Sequence, residues 1–261
     1  MIKQLMKYDI KNMITFVSYI YIISIGLAII TRLFNIGRDI QVLFIISQIF
    51  ASLTYSAIAS ILVNTVVHIL KVFICSFYKD ESYLTHTLPV SKGKLLLSKY
   101  LSSLIVILCS VAVSFLSIFI IFYTPNLMET LSYLISATVA GFNMPGWLFV
   151  TLFIFVIFSQ ICSMMSMGFA SIIIANKYNS KRVFKGLLWF FLFYFGSLYV
   201  TLMFAVIIFA ISGNLGSLFV SQLSQSSFLT LLILALVLYA IYSFVFYFIA
   251  RKQFNKGVNV D

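Results

Sequence analysis

Six long apolar stretches alternate along the chain with short polar segments. They run approximately over residues 14–31, 40–70, 95–123, 147–176, 184–211 and 228–250. A helix needs roughly 20 apolar residues to cross a bilayer, so the pattern predicts six membrane-spanning helices. The second stretch holds 31 residues between Asp39 and Lys71. As a helix it would be about 46 Å long against a hydrocarbon core of about 30 Å, so it must tilt or project. Residues 125–147 are apolar too, but Pro125, Pro145 and Gly146 bracket them and Glu129 interrupts them. That segment reads as an extracellular interfacial helix or a re-entrant piece, not a seventh span.

The first 13 residues, "MIKQLMKYDIKNM", have a different period. Ile2, Leu5, Met6, Ile10 and Met13 recur at helical spacing on one side, with Lys3, Lys7 and Lys11 elsewhere. This predicts an amphipathic connector helix lying among lipid headgroups. A cleavable signal is not expected, because no small-residue cleavage site follows the apolar stretch. The organisation read from the pattern is one all-α membrane domain over 1–261. It has a connector helix (1–13), a six-helix bundle (14–250) and a cytoplasmic tail (251–261).

Composition agrees with the pattern. The chain is 62% hydrophobic and only 9% charged, whereas soluble domains carry about 25% charged residues. The formal charge of +11 would suggest nucleic acid in a soluble protein. Here the basic residues fall in short segments between apolar spans, so no nucleic-acid partner is expected and the lipid bilayer is the main one. All 17 basic residues except Arg32 and Arg38 fall on one side of a six-span plan. The positive-inside rule places that side, with both termini, in the cytoplasm.

Several chemistries find no residues to carry them. The six acidic residues, Asp9, Asp39, Asp80, Glu81, Glu129 and Asp261, all lie outside the six apolar stretches, which argues against an ion relay inside the membrane. Cys75, Cys109 and Cys162 have no metal or disulfide spacing. No HExxH is present, and "SKGKLLLS" lacks the upstream glycine of a nucleotide-binding loop. The chain is therefore not expected to be an enzyme or to hold a cofactor. An ATP-using function would need ATP and Mg on a separate subunit.

Two polar features fall within the spans. Asn64, His68 and Lys71 share a stripe near the cytoplasmic end of the second span. They form either a polar gate on a translocation path or a set of interhelical hydrogen bonds. "SQICSMMSMGFAS" (159–171) is rich in small residues and methionine. Ser159, Ser163, Met164 and Met167 line either an adaptable substrate groove or a close packing surface.

The most polar interruption is "FYKDESYLTHTLPVSKGKLLLSKY", residues 77–100. Asp80 and Glu81 favour a helix N-terminus. Tyr83, Leu84, Thr87 and Leu88 make a stripe, Pro89 stops the helix, and Ser91 can cap the next span. The segment reads equally as a handle for a soluble partner or as a helix resting on the membrane. "DESYLTHTLPVSKGKLLLSKYL" resembles the first cytoplasmic loop of ABC-2-type permeases, the membrane subunits of bacterial ABC exporters. "LMKYDIKN" resembles that family's amphipathic connector. The resemblance implies that residues 80–89 form a coupling helix in a cleft of a cytoplasmic ATPase. Lys79 and Glu81 would then make rim ion pairs, and Tyr83, Leu84 and Leu88 the apolar plug. It also implies a second permease subunit and export of a peptide or other amphipathic substrate. Two other classes stay open: a substrate-binding module of an energy-coupling uptake system, and a non-transporting scaffold or sensor.

Overall fold

A computed structural model describes residues 2–36, 40–79, 81–87, 89–122, 133, 146–178, 181–213, 216 and 225–256. Its elements are α1 (Ile2–Ile36), α2 (Gln41–Tyr78), α3 (Ser82–Thr87), α4 (Lys92–Phe122), α5 (Gly146–Ala175), α6 (Arg182–Ile211) and α7 (Gln225–Asn255). All except α3 are long and apolar enough to cross a membrane. The protein is an all-α, six-span integral membrane protein. None of its three prolines, Pro89, Pro125 and Pro145, falls inside a span, so no span loses a backbone hydrogen bond to one.

Three boundaries differ from the sequence reading. The amphipathic N-terminal segment is helical but does not end at residue 13. Neither proline nor glycine separates it from the first span, and α1 runs through both as one 35-residue helix. Part of it packs on α4: the Ser102 hydroxyl reaches the Met6 carbonyl and that of Ser103 reaches Met13 Sδ. Next, α2 does not stop at Lys71. It continues to Tyr78 and reaches 38 residues, about 57 Å at 1.5 Å per residue. Its last turns are stabilised by burial of Val72, Phe73, Ser76 and Phe77. Finally, α3 has six residues, fewer than the 80–89 expected. Of the 125–147 segment, only Tyr133 and the start of α5 are described.

The chain divides into two compact units, one built from α1 to α4 and the other from α5 to α7. In the first, α1 packs along both α4 and α2, and α3 touches α2. Its buried positions step by three, four or seven residues: Met13, Val17, Ser24, Ala28 and Thr31 on α1, and Ser47, Thr54, Ile61, Thr65, Ile69 and Val72 on α2. That spacing is the seam pattern of helices packed side by side. Many seam residues are serine or threonine, small enough for close approach and able to hydrogen-bond across the interface. Ser24 pairs with Ser117 (3.2 Å) and Thr31 with Thr54 (2.8 Å). Ser110 of α4 meets both Tyr21 of α1 (2.6 Å) and Thr65 of α2 (2.8 Å).

In the second unit α5 packs along α7 and against α6. Its core is apolar: Met165, Met167, Phe169, Ala170 and Ile173 are buried on α5, and Tyr242, Phe246, Ala250 and Phe254 on α7. Rings join the helices, with Phe149 on Phe228 and Phe193 on Phe246, centroids 5.9 and 4.9 Å apart. At one end, buried Gly186 faces Ala175, where an added Cβ would lie 3.5 Å from the alanine Cβ. That pair of small residues lets α6 start close beside the end of α5.

Candidate functional site

A chain of polar side chains joins α1, α4 and α2 and ends at Glu81, the residue before α3. Lys99 of α4 forms an ion pair with Asp9 of α1, Nζ to Oδ1 at 2.6 Å, with both side chains largely shielded from solvent. Ser98 donates to the other Asp9 oxygen at 3.1 Å. Lys99 Nζ also donates to Ser76 Oγ of α2 at 2.9 Å, and the Ser76 hydroxyl in turn donates to Glu81 Oε2 at 3.1 Å. Glu81 directly precedes α3, and its carbonyl accepts from the Thr85 backbone N–H and hydroxyl. One lysine thus sits between two carboxylates, one reached directly and one through a serine.

The geometry follows from the sequence locally. Ser98, Lys99, Ser102, Ser103, Val106, Ser110 and Ser117 line the buried side of α4, so Lys99 is the charged end of a serine stripe. A lysine shielded from solvent needs a counter-charge, and Asp9 on the facing side of α1 supplies it. Beside the chain lies a groove of about 730 Å³ whose polar walls include Gln4, Asn12 and Thr15 as well as the ion pair. Thr85 and Pro89 form its rim next to α3.

The segment expected to act as a handle is displayed outward. Lys79, Glu81, Tyr83, Thr87 and Pro89 are exposed, Tyr83 to 76%. Asp80 and Leu88 lie outside the described residues, and the Leu84 side chain is likewise not described. The Ser82 N–H bonds the Lys79 carbonyl to start the short helix. The last described residue of the helix is Thr87, two positions before Pro89. Ser91 stands at the start of α4, where its carbonyl accepts from Lys94 and Leu95.

The intramembrane candidates are not brought together. Asn64 is exposed and its amide donates to the Ser60 carbonyl of its own helix at 2.9 Å. His68 is half-buried and stacks on Phe16 of α1 at 4.5 Å, with Nε2 lacking a partner. His68 thus meets α1 through Phe16 and the Asn12 backbone, while the other interhelical hydrogen bonds of this unit are made by serines, threonines and Tyr21. On α5, Ser163 and Met167 are buried, Ser159 and Met164 half-buried. The two hydroxyls return to Val156 and Gln160 carbonyls of the same helix.

Sequence reasoning missed the Asp9–Lys99 pair. Two signals pointed to it: Asp9 is the lone acid in a lysine-rich amphipathic helix, and Lys99 falls in phase with the serines of α4. No protein-family model, curated protein or solved structure matches the chain.

Proposed function

We propose that this six-span protein is the membrane subunit of an ATP-driven transporter, an exporter of the ABC-2 permease type powered by a separate cytoplasmic ATPase. The observation that carries the reading is the short helix α3, exposed between two spans and wired inward through Glu81, Ser76, Lys99 and Asp9. A push on α3 by an ATPase changing shape would reach α2 through Ser76, α4 through Lys99 and α1 through Asp9. Membrane helices would then shift between two access states. ATP and Mg reside on the partner, and a second permease subunit completes the pathway. The substrate class is a peptide or other amphipathic molecule, by the same family resemblance.

The test uses the exposed Tyr83. Replacing it with Asp leaves the fold intact, because the side chain is 76% exposed. In a desolvated contact with an ATPase the new charge costs several kcal/mol. A loss of about 2.7 kcal/mol weakens association about a hundredfold. An ATPase should co-purify with tagged wild-type chain from its own cells, with ATP hydrolysis in the eluate, and Tyr83→Asp should lose both. Wild-type chain that brings down no ATPase, or equal capture by Tyr83→Asp, removes the reading.

A further inference from the structure

Lys99 serves two carboxylates but touches only one. Its Nζ lies 2.6 Å from Asp9 Oδ1 and reaches Glu81 through the Ser76 hydroxyl, in links of 2.9 and 3.1 Å. The second carboxylate is therefore no more than about 6 Å from the ammonium. Each acid also has a serine of its own. Ser98 of α4 donates to Asp9 Oδ2 at 3.1 Å, and Ser76 of α2 donates to Glu81. Either acid thus keeps a hydroxyl while the ammonium is on the other.

The cluster is not packed solid. Asp9, Ser76, Glu81, Ser98 and Lys99 all line the groove of about 730 Å³, so the ammonium has room to swing. A lysine head rides on a flexible four-carbon stem and carries three donors, of which Asp9 and Ser76 occupy two. The two acids differ in setting. The Asp9 side chain is only 14% exposed, whereas Glu81 stands exposed just before α3. Attraction between charges is stronger where water is excluded, so Lys99 rests on Asp9 while α3 is uncovered.

We infer that Lys99 is a two-position latch. On Asp9 it ties α4 to α1; on Glu81 it ties α4 to the α3 segment and frees α1. A surface that covers α3 shields Glu81 from water and draws the ammonium across. The transfer breaks one ionic hydrogen bond and makes another, and no proton leaves the lysine. Firm seating of α3 and closure of α1 on α4 therefore oppose each other, which is the kind of two-state element that carries coupling between sites. In the permease reading the covering surface is the ATPase. The transfer itself rests on the geometry within the first unit, and only its use in transport rests on that reading.

Two buried positions read the two ends of the latch. Ser82 of α3 is buried, and so is Met13 of α1, which the Ser103 hydroxyl of α4 touches. Thiol labelling of Ser82→Cys reports α3, and that of Met13→Cys reports α1. Both are made in the full chain with its three native cysteines replaced by serine. The purified chain is used without an ATPase, so the outcome is independent of the transport reading. Asp9→Asn removes the favoured acid and keeps its shape and its Ser98 partner. Labelling should rise about tenfold at position 13 and fall about tenfold at position 82, as an ionic contact to Glu81 replaces the hydroxyl link. Adding Glu81→Gln should abolish that fall. Glu81→Gln alone changes an exposed residue, so its fold is secure. It should speed labelling at position 82 and slow it about threefold at position 13, because Lys99 has lost its alternative. A static Asp9–Lys99 pair gives no fall at position 82 in Asp9→Asn and no change at position 13 in Glu81→Gln. Either result, or a fall at position 82 that survives Glu81→Gln, would overturn the latch.

Discussion

In the first unit a single hydroxyl, that of Ser110, touches partners on two other helices. In the second, buried apolar side chains fill most of the seam, and Tyr242 of α7 hydrogen-bonds Thr201 and the Ser197 carbonyl of α6. Both are three-span bundles, and both exclude lipid from a narrow seam. The chemistry of the seam differs. Hydrogen bonds between serine, threonine and tyrosine are directional and fix how far one helix stands along another. Ring and methionine contacts depend on shape and area, and they tolerate sliding. A bundle with fixed register passes a displacement from one end to another. That property suits the unit that carries the exposed α3.

The difference is sharpest at Lys99. Truncating one member of a shielded ion pair leaves the other charge uncompensated and costs about 3–5 kcal/mol. Lys99→Ala strands Asp9 and leaves Ser76 and Glu81 without their cation. The readout is thiol labelling in a background with Cys75 and Cys109 replaced by serine. Val106→Cys on the buried side of α4 then reports the first unit, and native Cys162, also buried, reports the second. Lys99→Ala should speed labelling at position 106 by about a hundredfold or more and leave Cys162 unchanged. Adding Asp9→Asn should recover part of the loss, since it removes the stranded charge. An equal rise at both cysteines would mean that the two units do not open separately, and the comparison would lose its basis.

Ser110→Ala is the next step down. It removes the shared hydroxyl, so Tyr21 loses its 2.6 Å partner while Thr65 keeps the Ile61 carbonyl at 2.6 Å. Such intramembrane hydrogen bonds average about 0.6 kcal/mol and reach about 1.7. Labelling at position 106 should rise about three- to fifteenfold. No change would show that the seam is held by small-residue packing alone, and the contrast with the second unit would weaken.

How much of this is legible in the sequence depends on the kind of signal. The spans are readable because an uninterrupted run of about 20 apolar residues matches the thickness of a bilayer and little else; each expected stretch falls almost wholly within one of the six helices, α1 and α2 extending well past it. Their ends are harder. Lys71 resembles a boundary of α2, yet a lysine on the exposed side of a helix does not end it, and Phe73 and Phe77 on the buried side carry it onward. Residues 1–13 stand out from the first span by their amphipathic period, while their continuity with it in one helix is not visible in that pattern. Polar partners are least legible. Asn64 and His68 share a stripe, but Asn64 bonds its own backbone, a choice that spacing cannot reveal. Asp9 and Lys99 lie 90 positions apart, and only the fold brings them to 2.6 Å.

The smallest expected effect completes the contrast. Tyr242 is the main polar link between α7 and α6: its hydroxyl lies 3.1 Å from Thr201 Oγ1 and donates to the Ser197 carbonyl at 3.1 Å. Tyr242→Phe deletes that hydroxyl and keeps the ring that fills the seam. Thr201 still donates to the Ser197 carbonyl at 2.8 Å, so both former partners remain satisfied by each other. The heaviest part of a deleted hydrogen bond is an orphaned group, and here none is created. The expected cost is about 0.6 kcal/mol or less, a rise of less than about threefold in Cys162 labelling. Ser110→Ala, by contrast, leaves the Tyr21 hydroxyl without Ser110 inside the first bundle. If Tyr242→Phe loosened the second unit as much as Ser110→Ala loosens the first, hydrogen bonding would matter equally in both. The apolar ring contacts of α5, α6 and α7 would then not be what holds that unit together.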